Sequence, residues 1–145
     1  MRLPDYVKSC VCFLCVEDGG RTRFGGTAFF ASVDSKVHPG LTSSYLVTAK
    51  HCVNTAYAKY HNLKARVNAE DRSQSKLVDL RQSWQCPNDP GVDIAALSVN
   101  IHPGIEVVCL PMESFVDDSN VDFFGIGIGD STSTVGLFTQ REGKS

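Results

Sequence analysis

The most constraining feature of this sequence is a succession of short strand-like segments separated by turn residues. Residues 7–16 and 22–33 are rich in β-branched and aromatic side chains, and the intervening residues 17–20 (EDGG) predict a hairpin turn. Further strands are predicted at residues 44–48, 63–68, 75–80 and 92–99, and a helix-tolerant run at residues 49–58. About six short strands with one brief helical turn predict an all-β fold, a small closed barrel.

The last third of the sequence differs from the first two thirds. Residues 100–111 read as a connector, and only two more strands are predicted after it, at residues 121–128 and 135–139. Two strands cannot close a barrel, and they would leave edges unpaired. We therefore predict a first β-barrel over residues 1–105 and, over residues 106–145, a connector and the incomplete start of a second barrel.

Charge and hydropathy exclude several classes of function. A net charge of −2 provides no basic field, so we predict no nucleic-acid partner. No apolar run approaches the roughly 20 residues that a membrane span needs, so we predict no membrane partner. The N-terminal residues lack the features of a signal peptide, which favours a cytoplasmic location and six free cysteine thiols over a disulfide framework.

Three motifs occur in a fixed order along the chain. They are residues 24–30 (FGGTAFF), residues 46–53 (LVTAKHCV) and residues 92–97 (VDIAAL). Together they resemble the chymotrypsin-like (trypsin-like) serine peptidases, and more narrowly the bacterial-type trypsin-like domains. The apolar strand that ends in Thr-Ala-x-His-Cys is the most specific of the three. The resemblance covers nearly the whole chain and implies a chymotrypsin-like six-stranded β-barrel followed by the beginning of a second barrel.

The resemblance assigns catalytic roles to His51 and Asp93. An imidazole that titrates near neutral pH can take a proton from a nucleophile and return it to the leaving amine, which is the role implied for His51. A carboxylate that stays ionised can hold the imidazole in the required tautomer, which is the role implied for Asp93. Asp89, in a proline-rich loop, is the lesser candidate. The remaining histidines are read as solvent-facing: His38, His61 and His102.

The nucleophile of the resemblance is missing from this sequence. The family places its serine in Gly-Asp-Ser-Gly-Gly, whereas residues 129–133 read GDSTS, without the two glycines that follow the serine. We interpret Ser131 as part of a chance turn motif. The implied activity is therefore serine-type endopeptidase hydrolysis of a polypeptide substrate, with the serine in a C-terminal half, no cofactor, and no activity from this chain alone.

Two other departures from the family concern a disulfide bond and the N-terminal residues. Its secreted members bridge the cysteine after the catalytic histidine to a cysteine just before the Gly-Gly pair, and Phe24 stands at that earlier place. Cys52 is therefore interpreted as a buried, small apolar thiol. The N-terminal residues also lack the branched apolar pair of activated members, so zymogen-style activation is not expected.

Two alternatives from other classes stay open. One is a non-catalytic trypsin-like binding module that recognises a peptide or protein partner. The other is a structural or metal-binding cysteine protein, because Cys10, Cys12 and Cys15 are close in sequence. Zinc normally needs a fourth ligand at recognisable spacing, and in a strand Cys15 would face away from the other two, so we predict no metal.

Overall fold

The computed structural model describes residues 4–71, 74–80 and 83–130 of the chain. Its elements are two α-helices, eight β-strands and one 3₁₀ turn, in the order α1 (Asp5–Lys8), β1 (Val11–Asp18), β2 (Arg21–Asp34), β3 (Thr42–Thr48), α2 (Lys50–Tyr60), β4 (Lys64–Ala69), β5 (Ser75–Asp79), β6 (Ala95–Val99), β7 (Ile105–Glu106), β8 (Leu110–Pro111) and the 3₁₀ turn (Met112–Ser114). In this described part, neither helix is long enough to cross a bilayer.

The strands form one sheet with the order β5-β4-β1-β2-β3-β6, and the neighbours along this path are antiparallel. The inner order β4-β1-β2-β3 is that of a Greek key, in which the fourth strand returns to lie beside the first. The prediction of an all-β fold is thus confirmed. Among the described residues, β5 and β6 are the two ends of the path, so the hydrogen-bonded sheet is open.

The first two strands form the predicted hairpin. Gly19 and Gly20 adopt φ of 57° and 78°, the left-handed backbone that a two-residue hairpin turn requires and that glycine adopts without strain. The register shifts between Leu14 and Cys15, so that Gly25 is an extra, bulged residue in β2. The first strand was predicted too early, because residues 5–8 form α1, which follows Pro4.

The core is formed by buried side chains of the sheet and of α2. Leu14 and Leu46 are its largest fully buried apolar side chains, on β1 and β3. Val53 and Ala56 of α2 pack against the same cluster. The predicted helix at residues 49–58 is therefore confirmed, and its buried residues fix the first turn of α2 at the end of β3.

The residues of the predicted connector add two short strands to the sheet. β7 pairs with β4, and β8 runs parallel to β2. The backbone N–H of Val108 donates to the carbonyl of Ser9 over 3.1 Å. The boundary predicted after residue 105 therefore falls inside β7, and the chain stays packed on the sheet as far as Pro111.

The strand predicted at residues 121–128 is wrong. These residues form successive turns, with the N–H of Phe124 donating to the carbonyl of Asn120 and that of Ile126 to the carbonyl of Val121. Positive φ at Gly125 is incompatible with a regular strand. The strand predicted at residues 135–139 lies outside the described residues.

Candidate active site

His51 is positioned by the junction between β3 and α2. Thr48, the last residue of β3, is buried, and its hydroxyl donates to the carbonyl of Thr27 over 2.9 Å. Ala49 then turns the chain, and α2 begins at Lys50. His51 is the second residue of this helix, where backbone N–H groups have no partner within the helix. The end of a buried strand thus holds the histidine backbone in a fixed place.

Asp93 reaches the same place because β6 pairs with β3. Thr48 of β3 lies opposite Ala95 of β6, so the two residues that precede β6 meet the residues that follow β3. The Asp93 carbonyl accepts the N–H of Lys50 over 3.4 Å, and its Oδ1 accepts the N–H of His51 over 2.9 Å. Asp93 therefore caps α2 from a distant part of the chain, since the N-cap residue Ala49 has no side chain able to do so.

The two side chains that the sequence analysis selected are in direct contact. Nδ1 of His51 lies 2.5 Å from Oδ2 of Asp93. An ionised carboxylate only accepts hydrogen bonds, so in the neutral form of the ring the proton is on Nδ1 and the lone pair is on Nε2. The His51 and Asp93 side chains are 71% and 52% exposed. The pair therefore lies at the surface, where its Nε2 side can meet another group.

The charge state of Asp93 follows from these contacts. The hydrogen bond from the His51 ring, and then the one from the His51 backbone N–H, hold the pKa of Asp93 below its ordinary value of 3.8. A lowered folded-state pKa means that this contact stabilises the fold above the pKa of the unfolded chain. The contribution is lost as the pH falls through the folded-state pKa.

We expect carboxyl ¹³C NMR to detect this dependence. Asp93 should titrate below its ordinary pKa, and His51→Ala should raise the midpoint toward that value, because only the backbone donor remains. Asp117 is a matched control, since its pKa is lowered by the Ser119 side chain and not by His51. Equal midpoints for Asp93 in the two proteins would contradict the contact.

The other sequence candidates lie elsewhere. Oδ1 of Asp89 accepts the N–H of Gly91 over 2.8 Å, which makes it a local turn carboxylate. His38, His61 and His102 are exposed, as predicted. Ser131 lies outside the described residues.

Cys52 is the residue that sequence reasoning misjudged. It was predicted to be a buried apolar thiol, but it is only partly buried, and its Sγ lies 3.5 Å from Nε2 of His51. Consecutive residues of a helix do not normally face each other, so the sequence offered no signal for this contact.

The cysteines are separate thiols in the described structure. All six are free, and those on or next to β1 (Cys10, Cys12 and Cys15) are buried. Burial, followed by the charge of Cys15, raises the pKa of Cys12 to about 12. Among residues 4–71, 74–80 and 83–130, no three His, Cys, Asp or Glu side chains are grouped so as to hold a metal ion.

No family model matches the sequence, and no curated protein matches it either.

Proposed function

We propose that residues 1–105 are the first barrel of a chymotrypsin-like serine endopeptidase, in which His51 is the general base and acid and Asp93 is its orienting carboxylate. The observation that carries this proposal is the contact between His51 Nδ1 and Asp93 Oδ2 at 2.5 Å. The same carboxylate also accepts the backbone N–H of His51, so both the ring and its backbone are held by one residue. A bidentate restraint of this kind fixes the orientation of the imidazole as well as its tautomer.

The tautomer determines what the pair can do. With its proton on Nδ1, the imidazole presents Nε2 as an acceptor for the proton of a serine hydroxyl, which then attacks the peptide carbonyl. The imidazolium is stabilised by Asp93, whose lowered pKa keeps it ionised. Nε2 then gives the proton to the leaving amine, and a water molecule repeats the sequence to release the acyl group.

The strand order supports the proposed fold. β5 and β6 end the hydrogen-bonded path, and they face each other across a cavity of about 270 Å³. Val78 and Leu80 from the β5 side and Leu97 and Val99 from β6 line this cavity. If these two edges pair, the path becomes a closed six-stranded barrel, which removes both free edges. These four apolar side chains support a barrel interior between the two edges.

We place the nucleophile outside the described residues, because the sequence lacks the Gly-Asp-Ser-Gly-Gly motif. The pair is more than half exposed, whereas proton transfer in peptide hydrolysis is favoured where water is excluded. We therefore propose that a C-terminal half supplies the serine and the backbone donors of the oxyanion hole, and covers the pair. Cleavage of a polypeptide substrate is the reaction, and it needs no cofactor.

Digestion of a fluorescently labelled, unfolded protein tests this function. We expect the gene product that contains this chain and any contiguous C-terminal segment to cleave the substrate, and the 145-residue chain alone to be inactive. Cleavage should require His51 and should persist in His38→Ala, which alters an exposed histidine of another loop. Substrate binding without cleavage by the longer protein would favour the binding module instead.

A further inference from the structure

The side chains of Cys52, His51 and Asp93 form a continuous series. Sγ of Cys52 lies 3.5 Å from Nε2 of His51, and Nδ1 of the same ring is held by Asp93 at 2.5 Å. A nucleophile next to a base that is itself oriented by a third group is the arrangement that activates thiols and hydroxyls. We propose that Cys52 is a nucleophilic modification site, in which His51 removes the thiol proton as the sulfur attacks low-molecular-mass disulfides and other soft electrophiles.

The direction of the proton transfer follows from Asp93. Because this carboxylate fixes the proton of the neutral ring on Nδ1, Nε2 can only accept, and the Cys52 S–H is the donor. Partial burial, and then the charge of Asp93, raise the pKa of the Cys52 thiol. The resting group is therefore a neutral thiol. Its reactivity depends on proton transfer to His51 during attack and not on a standing population of thiolate.

Cys52 lines a cavity in which a small reagent can bind. The cavity has a volume of about 440 Å³, and its other lining residues include His51, Arg23, Thr55 and Tyr60. A Cβ built on Gly26 would lie 3.0 Å from Sγ, closer than the sulfur can accommodate without moving. Glycine at position 26 therefore leaves the room that the thiol occupies.

The other cysteines lack this combination of base and access. Cys10, Cys12 and Cys15 are buried. Cys109 is partly buried and its Sγ donates to the hydroxyl of Ser44 over 3.7 Å. Cys86 is exposed and serves as the ordinary thiol for comparison. The structure therefore predicts that only the reaction of Cys52 depends on an imidazole.

The proposed reaction of Cys52 takes one of two forms, alkylation or thiol–disulfide exchange. With iodoacetamide, an S–C bond forms, the C–I bond breaks, iodide leaves, and the thiol proton passes to Nε2 and then to solvent. With oxidised glutathione, Sγ attacks one sulfur, the S–S bond breaks, and the departing glutathione thiolate takes up a proton, which leaves a mixed disulfide on Cys52. Such an adduct would lie beside Nε2 of His51 and prevent it from accepting the proton of the proposed serine. This last consequence rests on the proposed peptidase function, whereas the modification of Cys52 does not.

Peptide mass spectrometry of native protein treated with iodoacetamide at pH 7 tests the proposal. A positioned base contributes about 10²- to 10⁴-fold to a proton-transfer step, so His51→Ala should slow the alkylation of Cys52 at least about tenfold. Alkylation of Cys86 should not change, and His38→Ala should leave both rates unaltered. At strongly alkaline pH the unaltered protein and His51→Ala should differ less in the alkylation rate of Cys52, because hydroxide then ionises the thiol without the help of His51.

A second variant and a second reagent keep the result independent of any local disturbance. Asp93→Asn preserves the size of the side chain but removes the charge that fixes the tautomer of His51. This variant should therefore also slow the alkylation of Cys52. Oxidised glutathione should form its mixed disulfide preferentially at Cys52 in the unaltered protein and not in His51→Ala. Equal Cys52 rates in the unaltered protein and both variants, with Cys86 as reference, would overturn the proposal whether or not the protein cleaves peptides.

Discussion

Replacing Asp93 by Asn is expected to lower kcat for peptide cleavage by the longer protein about ten-thousandfold, because an amide at this position no longer fixes the proton on Nδ1. His51→Ala should cost about a millionfold, since it removes the base itself. Both losses should lie in kcat with little change in KM, because neither side chain is proposed to bind substrate.

The matched control for this prediction is Asp89→Asn. Asp89 is four residues from Asp93, but its carboxylate accepts only a local hydrogen bond from Gly91 within the described contacts, which an asparagine oxygen can replace. Its kinetics should equal those of the unaltered protein. A comparable loss in Asp89→Asn, or full activity in Asp93→Asn, would show that the wrong carboxylate was assigned.

Leu14→Ala is expected to give the largest loss of stability among single core substitutions. Leu14 is 0% exposed, lies on the central strand β1, and is opposite residues of both neighbouring strands. Truncation of a buried leucine costs about 2 to 5 kcal/mol, which is a large part of the roughly 5 to 15 kcal/mol that stabilises a typical domain. Urea unfolding should show a lower midpoint with an unchanged slope.

Leu77→Ala provides the comparison, because Leu77 is on β5 and 44% exposed. Leu77→Ala should lower the free energy of unfolding by about 1 kcal/mol or less, well below the effect of Leu14→Ala, since much of the Leu77 side chain is already in water. Similar losses in the two variants would mean that β1 is not the centre of the core.

Most of the sheet could be predicted from local sequence. The two glycines at positions 19 and 20 mark the hairpin, and the alternation of residues 64–69 matches a strand with one buried face, as Ala65 and Val67 show. What the local pattern could not supply was pairing. Residues 121–128 have a strand-like composition, but no strand pairs with them in the described part of the chain, and turns use their backbone groups instead.

The limits of pattern reasoning are also visible in the first strand and the connector. Residues 7–16 have the composition of one continuous strand, yet the first two of them belong to α1. The strands β7 and β8 contain two residues each. Elements this short have no periodicity to detect, and only their partners in β4 and β2 define them.

The candidate site could also be predicted from the sequence only in part. His51 and Asp93 could be selected from sequence because each follows or precedes an apolar strand, and the pairing of β3 with β6 brings those strand ends together. Cys52 could not be selected, because its contact with Nε2 depends on the rotation of the His51 ring. That rotation is set by a residue 42 positions away in sequence.

Labelling with a serine-directed fluorophosphonate, followed by peptide mapping, tests the peptidase assignment most directly. The probe reacts preferentially with a serine whose proton is taken by a positioned base. We expect one labelled serine in the longer protein, located beyond residue 145, no label in His51→Ala, and none in the chain alone. Absence of label from the active longer protein, or stoichiometric label on Ser131 of the 145-residue chain that His51→Ala abolishes, would contradict the account.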